Sequence, residues 1–354
     1  SHRGHPPTLE VGERLRIPSV LDCPDTEVTI EVPEDLGSVV TSATLAYYLG
    51  ADVVPGEDPR LVTAEGFVHS LGASDRTYEE EVERVLKQVF FLDCITRTEG
   101  LYQIELHERN QIESQVDLEF DELYDQPLSA QIEAYLDLPF HVIEPHLPKW
   151  KLTAHVTPSF EHVETLPFLV NDLAVIKTAD NEYVGESRTQ SLAIEDFVRS
   201  PDQNTAALTR STIESAPTPS LVRIEEVDSM EQTWIGDGAP IGASKAIPEA
   251  FYNRLGRPPS DDDIDITVVC NAAEMGNESD IINEVYGSRE ELPFDVSLHR
   301  DLTVREFESV LEGDTDFLHY IGHIDAGGFE CSNGRFDASS LGETGVDVFL
   351  LNAC

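Results

Sequence analysis

Two apolar runs near the end of the chain each lead into a residue able to do covalent chemistry. Asp316-Phe317-Leu318-His319-Tyr320-Ile321-Gly322 runs into His323, and Val346-Asp347-Val348-Phe349-Leu350-Leu351-Asn352-Ala353 runs into Cys354. Open parallel sheets hold ligands beyond the carboxyl ends of their strands, so an imidazole and a thiol delivered there can serve as base and nucleophile. A thiol with its free pKa near ~8.5 is only a few per cent ionised at pH 7, and a neighbouring imidazole is the usual activator. The 31 residues from His323 to Cys354 hold one hairpin, one short connection and one strand, which returns the chain beside the strand it left. Adjacent strand ends lie roughly 5 Å apart, close enough for a dyad.

Other residues near this pair have blander readings. His319 points to the opposite register of its strand and is expected to be buried packing. Cys331, in the hairpin, is the rival nucleophile, and Cys270 ends an apolar run and is expected to pack. Asn271, directly after it, is expected to line the cleft.

The elements that must position these residues follow a regular rhythm. Ile264–Cys270 is a β-branched run, followed by an expected helix over 279–286, a strand over 294–298, a helix over 304–311 and strands over 316–321 and 346–351. Strands alternating with helices predict a parallel sheet covered on both faces. Ser332-Asn333-Gly334 carries the Asn-Gly turn signal, so a small hairpin is expected beside the site.

The first 200 residues mix strands and helices without a regular βαβ rhythm, which predicts an α+β domain. Thr26–Val32 alternates as a half-buried strand, and 38–49 reads as a helix stopped by Gly50. Thr77 and Glu80 have capping-box spacing ahead of a helix over 77–99 with the stripe Val82, Val85, Leu86, Val89 and Phe90. A helix over 128–138 and a strand over 151–157 follow. Residues 201–220 are rich in Ser, Thr, Pro and Ala and are expected to be a linker, leaving 221–354 as a second domain.

Composition narrows the setting. There are 68 acidic and 23 basic residues, a formal charge of −45, and only five of the basic residues are Lys. The Debye length falls from about 8 Å at physiological salt to about 3 Å at 1 M, so self-repulsion that would loosen this chain is muted in brine. A high-salt cytoplasm is the expected location. With 40% hydrophobic residues in strand- and helix-length runs, the chain is not a disordered acidic tail. It offers no basic stripe for nucleic acid, no 18-residue apolar run for a membrane and no export signal.

Five widely spaced cysteines without a C-x-x-C suggest neither a disulfide framework nor a zinc site. His141, His146, His155 and His162 cluster in sequence but lack ligand spacing on a confident helix, so no metal or other cofactor is expected. The chain has no initiator Met and stops on Cys354 directly after an apolar run, which is expected of a fragment cut at both ends.

The string His319-Tyr320-Ile321-Gly322-His323, the Gly-rich hairpin with Cys331-Ser332-Asn333-Gly334, and Phe349-Leu350-Leu351-Asn352-Ala353-Cys354 resemble the His and Cys motifs of CHAT-domain proteins. These are relatives of caspases, separases, gingipains and metacaspases. Thr233-Trp234-Ile235-Gly236-Asp237-Gly238 and Val268-Val269-Cys270-Asn271 are similar to the front end of the haloarchaeal members, so the resemblance covers about 225–354. It implies a caspase-like three-layer sandwich with a mostly parallel sheet and a cysteine endopeptidase. His323 would be the base or orienting imidazole and Cys354 the nucleophile. The backbone N–H groups of Ile324 and Cys354 would form the oxyanion hole; the family usually has Gly after that His, where this chain has Ile324. Relatives that prefer a basic P1 side chain line that pocket with acids, which makes Asp325 a candidate alongside Glu330.

The expected partners are a protein or peptide substrate and a regulatory protein docking on the N-terminal domain. A caspase-like scaffold with an inactive dyad is the alternative. A nucleotide binder is disfavoured because Asn271-Ala272-Ala273-Glu274-Met275-Gly276 is no Gly-rich phosphate loop.

Overall fold

The computed structural model describes residues 6–21, 24–72, 76–100, 106–179, 183–184, 220–256, 264–271, 294–325 and 327–353. They fall into two compact units, one reaching residue 184 and resuming over 220–256, the other covering 264–353. Several parallel sheets flanked by helices make the architecture mixed α/β.

In chain order the first unit contains β1 (Val28–Val32), α1 (Leu36–Leu49), β2 (Asp52–Pro55), β3 (Arg60–Thr63), β4 (Val68–Ser70), α2 (Tyr78–Thr96), α3 (His107–Ile112), α4 (Phe120–Tyr124), α5 (Leu128–Asp137) and α6 (Phe140–Ile143). It continues with β5 (Trp150–Val156), α7 (Leu166–Asn171), β6 (Val175–Thr178), β7 (Tyr183–Val184), β8 (Leu221–Arg223), β9 (Ser229–Ile235), β10 (Ala239–Ile241), β11 (Ser244–Lys245) and α8 (Pro248–Gly256).

The helix boundaries follow from their caps. Asp35 accepts a bond from the Ser38 N–H and opens α1, and Gly50 closes it at φ 60°. Thr77 and Glu80 form both halves of a capping box at the start of α2. The inward stripe of α2, Val82, Val85, Leu86 and Val89, is buried against Ile30, Leu45 and Leu61.

Two expectations about this region change. Residues 221–256, assigned to the second domain, pack with the first unit: β9 lies between β5 and β11 in a parallel sheet ordered β11-β9-β5-β6. The buried end of β9, Thr233 to Ile235, supplies apolar surface that β5 needs. The expected linker lies outside the described residues except Ser220. Finally, β1-α1-β2 and β5-α7-β6 are both parallel crossovers, so the unit is not a plain α+β arrangement.

The second unit contains β12 (Ile264–Cys270), β13 (Phe294–Arg300), α9 (Val304–Glu312), β14 (Thr315–Gly322), β15 (Ile324–Asp325), β16 (Gly328–Cys331), β17 (Gly334–Phe336) and β18 (Val346–Ala353). Its main sheet is parallel throughout, ordered β13-β12-β14-β18. The helix expected over 279–286 lies outside the described residues. Thr303 and Glu306 form a second capping box, on α9. The buried Phe307 and Leu311 of α9 meet Tyr320, Phe329 and Phe336, with Phe307 ring centroids 5.3–5.6 Å from the other three. Aromatic pairs at such spacing each add about 0.5–1.5 kcal/mol beyond area burial, so this cluster fixes the β15-β16-β17 hairpin layer to the sheet.

Candidate functional site

The site is built where β12 and β14 end and the hairpin begins. The β14–β18 ladder keeps register to its last pair, Gly322 opposite Ala353. His323 follows Gly322 and is half-buried; Cys354 lies outside the described residues.

The hairpin turns back against His323. The Glu330 N–H donates to the His323 carbonyl at 2.9 Å, while Ile324 stands opposite Phe329 and Asp325 opposite Gly328. In an antiparallel ladder this pattern makes Ile324 and Phe329 the pair that exchanges no backbone bonds, so the Ile324 N–H is turned away from β16. Its side chain packs against the core formed by Phe307 and Phe329.

Behind these residues lies a buried polar cluster. Tyr320 Oη donates toward the Glu330 carbonyl at 2.9 Å and the His323 carbonyl at 3.2 Å. Asn271 Nδ2 donates to the same Glu330 carbonyl at 3.0 Å, its Oδ1 accepts from the Leu302 N–H at 2.8 Å, and its backbone N–H donates to the Ile321 carbonyl at 2.9 Å. Burial pushes the Tyr320 hydroxyl up to about 12, helped by the Cys331 and Glu330 charges, so it stays a donor. Asn333 Oδ1 accepts from the Val304 N–H at 2.8 Å, seating the turn on the first residue of α9.

One expectation needs correcting here. Asn271 does not line an open cleft: it is 9% exposed and its amide is engaged at both ends by backbone. Asp325 is exposed and paired on its own hairpin: Oδ1 accepts from the Gly327 N–H at 2.8 Å and Oδ2 pairs with Arg335 Nη2 at 2.9 Å. Arg335 also comes within 3.9 Å of Glu330, so one guanidinium answers both acids. The partners are well exposed, and such pairs contribute about 0–1 kcal/mol.

The rival residues are packed away. Cys331 is buried, and desolvation pushes its thiol up against the opposing influence of Arg335 and a bond with Asn271. Cys270 and His319 are also buried. The clustered histidines diverge: buried His155 faces Gln232 Oε1 at 3.1 Å, with burial lowering its pKa, while His146 Nδ1 meets Gln111 Oε1 at 2.9 Å. Among the described residues no group of three or more His, Cys, Asp or Glu could hold a metal ion. None of the described helices is long and apolar enough to cross a membrane.

Sequence reading assigned no role to Tyr320, Arg335 or the first unit's open cleft beside Arg84, Lys87, Phe140, Lys149 and Trp150. Opposite charge on adjacent strands was the available signal for Arg335, since it stands directly across from Glu330. The cleft is charge-balanced, with Lys87 on Glu83 at 2.6 Å and Lys149 on Asp228 at 3.0 Å. Comparison of the chain with protein-family models, curated proteins and solved structures found no match.

Proposed function

We propose that the second unit is a caspase-like peptidase domain of CHAT type, in which His323 and Cys354 hydrolyse peptide bonds. The observation that carries this reading is the parallel register ending at Gly322 and Ala353, because it sends the chain onward from two neighbouring strand ends at one level, about 5 Å apart. The Ile324 N–H, turned away from the hairpin ladder, supports its role as one oxyanion donor; the Cys354 N–H is the other.

In this reading His323 takes the Cys354 thiol proton, the thiolate adds to the peptide carbonyl carbon, and the carbonyl oxygen takes up the negative charge at the two N–H donors. Collapse breaks the C–N bond, His323 gives the amine its proton, and an acyl-enzyme remains. Water, deprotonated by His323, then adds to the thioester and expels the thiolate. No cofactor enters. The substrate is a protein or peptide, the location a salt-rich cytoplasm, and the first unit the surface for a regulatory protein.

The test is covalent. In multi-molar KCl a peptidyl acyloxymethyl ketone should label Cys354 selectively, and Cys354→Ala or His323→Ala should abolish both labelling and peptide cleavage. Labelling no faster at Cys354 than at the exposed Cys94 would favour a non-catalytic scaffold. That second reading draws on Ile324, whose β-branched side chain packs into the hairpin core at the place where the family usually has Gly.

A further inference from the structure

We propose that Tyr320 and Asn271 are positioning residues, a two-donor clamp on the Glu330 carbonyl that holds the His323 backbone and the Ile324 N–H in working geometry. This rests on the peptidase reading of the same strand ends.

β15 is only two residues long, and so short a ladder cannot fix its own orientation. What fixes it comes from side chains. Tyr320 and Gly322 share one face of β14, and the Tyr320 ring lies over Gly322, so that its hydroxyl reaches the carbonyls on both sides of the hairpin's first turn, at His323 and Glu330. Asn271 arrives from the neighbouring strand β12 and takes the same Glu330 oxygen. Its own position is set by Leu302 and Ile321. Three separate segments therefore meet on one carbonyl, that of the same residue whose N–H holds His323.

Packing alone does not explain these two polar groups. Phe307, Phe329 and Phe336 already fill the layer, and a buried hydroxyl or amide is costly unless its bonds are made. Tyr320 is fully buried and Asn271 nearly so. Neither side chain is placed to touch a substrate, so their effect runs through the backbone of His323 and Ile324.

The experiment uses Tyr320→Phe, which keeps the ring and removes the donor, and Asn271→Asp, which keeps the acceptor for the Leu302 N–H and replaces the donor. Labelling of Cys354 by the peptidyl acyloxymethyl ketone in multi-molar KCl is resolved into its binding constant and its first-order inactivation rate. Amide hydrogen exchange is read at Glu330 and Ile324 in the same samples. We expect the inactivation rate to fall about tenfold with binding changed less than about twofold, and exchange at Glu330 to quicken about tenfold. An unchanged inactivation rate, or a loss matched by the loss of folded protein, overturns the proposal. Absence of selective labelling in the unsubstituted protein overturns the peptidase reading separately; exchange then decides the clamp, and unchanged protection at Glu330 ends it.

Discussion

Tyr320 fills the space in which Gly322 would carry a side chain: a Cβ there would stand 2.6 Å from the Tyr320 hydroxyl oxygen and 2.8 Å from Cζ. Gly322→Ala must therefore push the ring out of the aromatic layer. The expected cost is about 1–3 kcal/mol, typical of overpacking a filled core. Urea unfolding in KCl, followed by tyrosine fluorescence, reads it; an unshifted midpoint would mean that the ring has another place to go.

In the first unit, Glu81 on α2 is 2% exposed, takes Arg84 Nε and Nη2 at 2.6–3.0 Å and faces His69 Nε2 at 2.8 Å. Burial alone would raise its pKa, but the bonds from His69 and Arg84 prevail and bring it down to about 2 from 4.5. A carboxyl depressed by folding stabilises above its unfolded value, so about 3 kcal/mol is present at neutral pH and is lost as pH falls from 4.5 toward 2. Glu81→Gln removes the counter-charge of a buried guanidinium and should cost about 3–5 kcal/mol at pH 7. Its stability should also lose the part of the acid-side slope between 4.5 and 2 that Glu81 contributes, which equilibrium unfolding across pH will show.

Cys331 offers a check on the choice of nucleophile. Its thiol is buried and its pKa is raised first by desolvation, so iodoacetamide at pH 8 should leave it unmodified in the folded protein and reach it only after denaturation. Mass spectrometry of the alkylated peptides tests this. Modification of Cys331 in the native state would reinstate it as a reactive residue.

The formal charge of −45 predicts a stability that climbs with KCl, because shortening the Debye length from about 10 Å at 0.1 M to about 3 Å at 1 M suppresses repulsion between like charges. The melting temperature should rise steadily over this range and beyond. A flat curve would show that local ion pairs such as Lys87–Glu83 already neutralise the repulsion.

Local signals in the sequence were sufficient for the elements and weak for their assembly. The capping box at Thr77 announces its helix, since side chain and backbone bond within four residues; the same spacing at Thr303 and Glu306 carried an equal signal that the sequence reading did not use. The run Ile264–Cys270 reads directly as β12, and Asn333-Gly334 marks the β16–β17 turn. The pairing of β9 with β5 joins residues separated by roughly eighty positions, and no local pattern encodes such a partner. The Pro- and Ser-rich stretch therefore looked like a domain boundary although the chain returns to the first unit beyond it. Asn271 was misread for a related reason: its partners, Leu302 and Glu330, come from distant segments, and only the fold shows that its amide is engaged. The ion pair of Asp325 with Arg335 was not legible either, because its partner lies ten residues away, across a turn.

The central placement of β9 between β5 and β11 has a consequence during synthesis. A nascent chain that has released β5 and β6 from the ribosome still lacks the strand that covers the other side of β5, so the first unit cannot close until Ser229–Ile235 has also emerged. For that interval the apolar edge of β5 is open to chaperones and to neighbouring nascent chains.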